Sequence, residues 1–304
     1  MIEQSVGVLG VGRLGSDVAF TLAERDLCNI VLYDKDTERA EYLASDLSDT
    51  LFGHAYNRRV SWVNEARALA ECSVILVAAG ARRDAGTSAA ELFRENRSIA
   101  QEMAQAFVGS SNLFVVASEP VDLMTAELAR ALKLPPSRVM GIGGVVDAYR
   151  VRHALGEALT VRPGYIRSHV IGPHDSDVSI VWDFTNINGV SIRDIADPDV
   201  LATVEREISS DQRLTEMNVS MSRYTPAIAC LELLRSLVKD DRRILSVTMP
   251  WHNVLGISDV AMSVPAVVGR FGAERAVPPK LDRAARERLE RIAGRLASAL
   301  QGDA

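Results

Sequence analysis

Cysteine is scarce in this chain. Only three occur in 304 residues, Cys28, Cys72 and Cys230, and no two form a C-x-x-C pair. An odd, scattered set excludes a disulfide framework and a thiolate metal site. Reduced, structural thiols in the cytoplasm are the expectation. The five histidines show neither H-x-x-x-H nor mixed Cys/His spacing, so no metal is implied. Excess positive charge is also missing. Lysine and arginine total 34 against 40 acidic residues, a net charge of −6, which argues against a nucleic-acid surface. The one arginine-rich stretch, Arg283 to Arg295, is interleaved with acids and apolar residues and reads as an amphipathic terminal helix. No apolar run approaches a membrane span, and the N-terminus carries neither a basic region nor a cleavage signal. No internal repeat or low-complexity segment stands out. What remains, at 47% hydrophobic and 24% charged residues, is the composition of an ordinary globular enzyme long enough for two domains.

The first 34 residues carry the strongest signal. An apolar run, Val6-Gly7-Val8-Leu9, leads into Gly10-Val11-Gly12-Arg13-Leu14-Gly15. A helical pattern follows, with Val18, Leu22 and Ala23 on one face. A second apolar run, Ile30 to Tyr33, ends at Asp34. Strand, glycine-rich turn, helix, strand and acid in that order form a dinucleotide-binding βαβ unit. Gly10 permits the tight turn, Gly12 lets a pyrophosphate approach the backbone, and Gly15 lets the helix pack on the strand. The helix start offers free N–H groups to phosphates. Asp34 is placed to accept from the ribose hydroxyls of the adenosine, and its charge repels a 2′-phosphate, so NAD is expected over NADP.

Strand-like and helical runs alternate beyond this unit. Ser73–Ala79 and Leu113–Ala117 read as strands; Thr37–Leu47, Glu91–Val108 and Asp122–Leu132 read as helices. Alternation of this kind predicts a parallel, doubly wound α/β sheet of Rossmann type, with ligands across the carboxyl ends of the strands. The character changes near Gly141–Gly144. Strands of antiparallel type are expected at Ser168–Ile171 and Val178–Phe184, a turn at Asn188-Gly189, and a helical region from about Val200 to Leu237. Further strands are expected at Ile244–Met249 and Val264–Val268, then a closing helix from about Asp282 to Leu300. The expected division is a cofactor domain over residues 1–142 and a mixed α+β catalytic domain over 143–304.

Three polar features can carry chemistry: Asp147-Ala148-Tyr149-Arg150, Gly172-Pro173-His174-Asp175, and the loop Gly80 to Ser88 with Arg82 and Arg83. Oxidising a 2-hydroxy acid needs a base for the hydroxyl proton and an anchor for the carboxylate. His174 suits the first task because imidazole titrates near neutrality, with Asp147 to orient the ring. Arg150 offers a planar fork for the second. Taken alone, a histidine after a strand is more often a structural residue, and Asp147 with Arg150 reads as a helix ion pair.

With Gly10/Gly12/Gly15, Asp34, Ala79-Gly80-Ala81, Pro120-Val121-Asp122, Asp147…Arg150 and His174 in this order and spacing, the chain resembles the lactate/malate dehydrogenase family over nearly its whole length. The resemblance implies hydride transfer between NAD(H) and a small 2-hydroxy/2-oxo acid, catalysed by His174 and Asp147. It implies a homodimer or homotetramer, and composition adds the expectation of a cytoplasmic protein with neither nucleic-acid nor membrane partner. It implies cofactor contacts from Gly10, Gly12, Arg13, Leu14, Gly15, Asp34, Ala79, Gly80, Asn96 and Ser118. Substrate contacts fall to Arg150, Arg83, Glu119 and Ser222. Arg83, with Arg82 leaving the register open by one, stands where malate dehydrogenases carry arginine and lactate dehydrogenases commonly glutamine.

Two departures weaken a plain malate reading. Ala89 occupies the place of the family's substrate-closing arginine and cannot donate to a developing alkoxide, a donor worth about 3–4 kcal/mol in a desolvated site. Glu119 replaces the asparagine of Asn-Pro-Val-Asp. An ionised Glu119 repels a carboxylate substrate, unless it is protonated, pairs with Arg83, or binds a cationic or hydroxyl-rich group. Asp175 and Asp177 add negative charge after His174, and Arg223 is either a replacement cation or an outward-facing helix residue. A specialised 2-hydroxy acid dehydrogenase follows, with a catalytically weak NAD-binding sensor or scaffold as the alternative.

Overall fold

The computed structural model describes residues 4–54, 56–81, 87–174, 177–209 and 223–301. The first half builds six strands: β1 (Ser5–Leu9), β2 (Asn29–Tyr33), β3 (Val60–Trp62), β4 (Val74–Val77), β5 (Leu113–Val116) and β6 (Val139–Gly141). All pair in parallel, in the order β3-β2-β1-β4-β5-β6. Continuous apolar runs suit such strands because helices cover both faces; every residue of β4 and β5 is buried. The covering helices are α1 (Arg13–Glu24), α2 (Thr37–Gly53), α3 (Ala89–Ala106) and α4 (Val121–Leu132). Two have side-chain caps: Asp36 accepts from the Arg39 N–H at the start of α2, and Ser88 with Glu91 forms a capping box at α3. Both begin close to where the hydrophobic pattern places them.

The second half opens with α5 (Gly143–Leu159) and continues through short strands β7 (Ile166–Arg167), β8 (Val170–Ile171), β9 (Ser179–Ile180), β10 (Asn186–Ile187) and β11 (Val190–Ser191). The expected turn joins β10 to β11, with Asn188 and Gly189 both at positive φ, the two-residue hairpin geometry that favours Asn-Gly. The strand expected over Val178–Phe184 is shorter. Only Ser179–Ile180 pairs, and Trp182–Phe184 closes into a 3₁₀ turn. Helices α6 (Ile192–Ile195), α7 (Pro198–Ser209) and α8 (Tyr224–Lys239) follow. Pro226 lies in the first turn of α8, where the missing N–H would have no intrahelical partner.

The strands β12 (Arg243–Pro250), β13 (Ala261–Gly269) and β14 (Gly272–Ala276) do not form a sheet of their own. They add antiparallel to the β6 edge and extend one sheet to nine strands, through the pair Thr248–Gly141. The final helix, α9 (Arg283–Gln301), packs along α4. One core cluster runs from β1 and α1 to α8, β12 and β13, across the expected boundary at residue 142.

Candidate active site

The sheet order reverses between β1 and β4, and the glycine-rich turn sits at that point, beyond the carboxyl ends of the strands. Gly10 has φ +94°, and a Cβ there would lie 2.6 Å from the Ala79 nitrogen. Backbone freedom and close approach both require glycine at this position. At Gly15 a Cβ would fall 1.9 Å from the Gly10 carbonyl oxygen, whereas at Gly12 it would meet nothing within 4 Å. Gly12 therefore faces open space at the start of α1, whose first turn has no side-chain cap. Asp34 does more than await a ribose. One carboxylate oxygen accepts from the Val11 N–H at 2.8 Å and the other from the Asp36 N–H at 3.0 Å. The acid thus fastens the glycine turn to the end of β2.

A cavity of about 470 Å³ opens here, lined in part by Gly10, Gly12, Asp34, Ala79, Gly80 and Ala81. Arg13 is exposed at the first position of α1, and Leu14 packs against the core. Asn96 and Ser118 sit behind the cavity wall. The Asn96 amide accepts from the Ala81 N–H at 2.6 Å and donates to the Glu119 carbonyl at 2.7 Å. The Ser118 hydroxyl donates to the Ala79 carbonyl at 2.7 Å. Both bind backbone and hold the ends of β4 and β5 together.

The catalytic candidates meet within the second half, between α5 and the loop after β8. His174 Nδ1 lies 3.0 Å from both oxygens of Asp147, and Arg150 bonds Asp147 Oδ1, also at 3.0 Å. The His174 and Asp147 side chains are 6% and 2% exposed. The helix ion pair and the histidine–carboxylate pair thus coexist in one carboxylate. Glu119 approaches the opposite ring nitrogen, with Oε1 3.8 Å from Nε2, and its peptide bond to Pro120 is cis.

Three residues outside the sequence-based assignment fix the histidine. The backbone N–H of His174 donates to Asp122 at 2.6 Å, and Thr248 donates to the other Asp122 oxygen at 2.9 Å. Burial raises the Asp122 carboxyl to about 7, against the lowering influence of His174. Gly143 allows the close contact, since a Cβ there would lie 2.7 Å from His174 Cβ. Asp122 and Gly143 were visible only as a turn acid and a domain-edge glycine. No local pattern pairs them with residue 174.

Models of this architecture describe the chain over both halves. Residues 4–141 match the lactate/malate dehydrogenase NAD-binding domain, and residues 145–303 match the family's α/β C-terminal domain. The chain belongs to the lactate/malate dehydrogenase family. It is an NAD-dependent oxidoreductase acting on a CH–OH group, with NAD(H) as cofactor. A malate dehydrogenase of Chlorobium chlorochromatii is 29% identical, with 95% of this chain and 94% of that protein covered. An L-lactate dehydrogenase of Thermus aquaticus is 27% identical, at 95% and 96%. The fold matches a crystal structure of Cryptosporidium parvum malate dehydrogenase with a TM-score of 0.92 at 19% identity, covering 99% of both chains. Malate and lactate enzymes match almost equally, so likeness does not choose a substrate.

The residues fit the family's cofactor. The Gly12 side of the turn is open, the cavity is wide, and Asp34 presents a carboxylate at its far end. Other expectations about the substrate side need correction or fall elsewhere. Arg223 is no replacement cation: its guanidinium grips Asp17 of α1 through two bonds. Asp177 does not charge the base; it turns to Arg288 and Arg295 of α9. Ala89 is the first residue of α3, just after the capping Ser88. Arg82, Arg83, Asp175 and Ser222 lie outside the described residues. Among the described residues no helix is long and apolar enough to cross a membrane.

Proposed function

We propose that this chain interconverts a 2-hydroxy acid and its 2-oxo acid by an acid–base mechanism centred on His174, and that its substrate is a specialised one rather than ordinary malate. The observation that carries the reading is the pairing of Nδ1 with a buried carboxylate. With Nδ1 committed to that carboxylate, Nε2 is the atom that takes the hydroxyl proton in oxidation and returns it in reduction. Asp147 orients the ring and stabilises the imidazolium. Arg150, anchored on the same carboxylate, binds the substrate carboxylate, with Arg83 and Ser222 as further pocket residues. Bound NAD supplies the hydride acceptor. Residues 1–142 hold the cofactor and 143–304 supply the base, except that Glu119 enters the site from the cofactor half. Asp34 favours NAD over NADP by its charge.

Ala89 and Glu119 support a specialised substrate over ordinary malate. The alanine at the start of α3 offers no donor to the reacting oxygen, and the Glu119 carboxylate 3.8 Å from Nε2 adds negative charge beside it. Assembly into a homodimer or homotetramer, in the cytoplasm, belongs to the same reading. The exposed Phe20, Tyr224 and Ile228, on helices that pack together, support it. The test is NADH oxidation against a panel of 2-oxo acids that includes hydroxylated and cationic ones. Turnover of oxaloacetate or pyruvate at ordinary enzymatic efficiency would reject the specialised substrate. Tight NADH binding without turnover of any 2-oxo acid would favour a sensor or scaffold, the reading to which Ala89 and Glu119 also lend themselves.

A further inference from the structure

Among the described residues three carboxylates surround His174, and their positions differ in kind. Asp147 holds Nδ1 and Asp122 holds the backbone N–H, both nearly out of solvent. Of these three, Glu119 stands on the Nε2 side, 35% exposed, with its carbonyl pinned by Asn96. The substrate oxygen must lie within about 3 Å of Nε2 to exchange a proton with it, which brings the substrate within about 7 Å of the Glu119 carboxylate, the span of one further carbon and its substituent. An ionised carboxylate accepts hydrogen bonds and donates none, and it can accept about four. A substrate donor needs only one of these places, whatever else Glu119 binds. The 2-oxo oxygen is itself an acceptor, and the C1 carboxylate is directed to Arg150. The group that complements Glu119 must therefore be a donor on the next carbon. An ammonium there would be repelled by the imidazolium that starts the reduction; a hydroxyl would not.

We infer that Glu119 selects 2-oxo acids bearing a hydroxyl on C3, and the corresponding 2,3-dihydroxy acids, by accepting a hydrogen bond from that hydroxyl. This rests on the proposed 2-hydroxy acid chemistry and names its substrate class. No bond to the C3 oxygen forms or breaks in the reaction. A methyl group in its place leaves the carboxylate without that donor, and a carboxylate sets acceptor against acceptor. Bonds to charged groups of this kind correspond to about 10- to 100-fold in kcat/KM. The bond is present before and during the reaction, so the discrimination falls mainly on KM.

The experiment compares 3-hydroxypyruvate, pyruvate and oxaloacetate as oxidants of NADH, in the wild type and in Glu119→Gln. The wild type should prefer 3-hydroxypyruvate by at least about tenfold, and Glu119→Gln should reduce that ratio by about tenfold, chiefly through KM. Equal use of pyruvate or oxaloacetate by the wild type, or an unchanged ratio in the variant, overturns the inference while leaving the dehydrogenase reading intact. If no 2-oxo acid is turned over, that reading fails, and calorimetric titration of the NAD-loaded protein decides the inference by itself. Glycerate binding at least about tenfold tighter than lactate in the wild type, and not in Glu119→Gln, upholds it. Equal binding of the two acids refutes it.

Discussion

Asp147→Asn should leave a folded, NADH-binding protein that has lost most of its turnover. Both carboxylate oxygens stand 3.0 Å from His174 Nδ1, and Oδ1 also receives Arg150 at 3.0 Å. An asparagine must place its NH₂ at one of those two positions. At Oδ1 it would set donor against the Arg150 guanidinium, so the amide oxygen stays there and the NH₂ turns toward Nδ1. The neutral ring can then accept at Nδ1 and keep its proton on Nε2, the tautomer that cannot take a proton from a hydroxyl. The imidazolium also loses its counter-charge. Two unit charges about 4 Å apart interact by about 4 kcal/mol at an effective dielectric near 20, which corresponds to about 10³ in rate. That lies within the roughly 10²–10⁴ of general acid–base catalysis. The assay is steady-state kcat and KM with the best 2-oxo acid of the panel, beside calorimetric NADH affinity. We expect kcat to fall by about 10³ and NADH affinity to stay within about twofold, since Asp147 lies away from the glycine turn. A kcat within tenfold of wild type would show that this carboxylate does not support the base.

The wild type should bind NADH at least about tenfold more tightly than NADPH, because Asp34 faces the ribose position; equal affinity in calorimetry would reject that role. Gly15→Ala would put a Cβ 1.9 Å from the Gly10 carbonyl, so the turn must open, at about 1–3 kcal/mol of stability and at least tenfold in NADH affinity; unchanged melting and binding would contradict the close approach. His169 is lowered to about 4, first by burial and then by Arg152. Its folded value lies below the unfolded one, so its contribution is complete above about pH 6.5 and lost as pH falls toward 4, by about 2–3 kcal/mol. Urea denaturation from pH 4 to 7 should show a shallower slope in His169→Gln. Ala89→Arg with Glu119→Asn should raise oxaloacetate kcat/KM at least tenfold and lower that of the native substrate, at a helix-dipole cost of about 0.3–1 kcal/mol from a cation at the start of α3; no gain with oxaloacetate would place specificity elsewhere.

The cofactor half was legible because its signals are local. Strand, turn, helix and acid occupy 34 consecutive residues, and each step has its own pattern. The pairing of His174 with Asp147 and Arg150 was legible only by resemblance, since no spacing rule joins a helix to a loop 27 residues away. Charge direction was not legible at all. Asp177 and Arg223 sit within two residues of pocket segments, yet one turns to α9 and the other to Asp17. Residue type reveals that a charge exists; only packing decides which partner it meets. The same limit hid the fate of β12 and β13. Their patterns announce strands, but docking on β6 depends on a single register pair between residues far apart in the chain.

That docking bears directly on catalysis. Gly172, two residues before the base, exchanges backbone hydrogen bonds with Ser263 of β13. Thr248 of β12 lies 2.8 Å from the Ser263 hydroxyl and bonds Asp122, which in turn holds the His174 backbone. Asp122 stands at the start of α4, directly after the Glu119–Pro120 turn at the end of β5. The base is therefore fastened from one side by strands of the second half and from the other by the strand end that carries Glu119. Through β6, the strand ends at the glycine turn and the strands that fasten the base belong to one sheet. A base held this way needs little reorganisation to meet a substrate at the switch point, and the choice of substrate passes to the residues that sheet geometry leaves unspecified, Glu119 first among them.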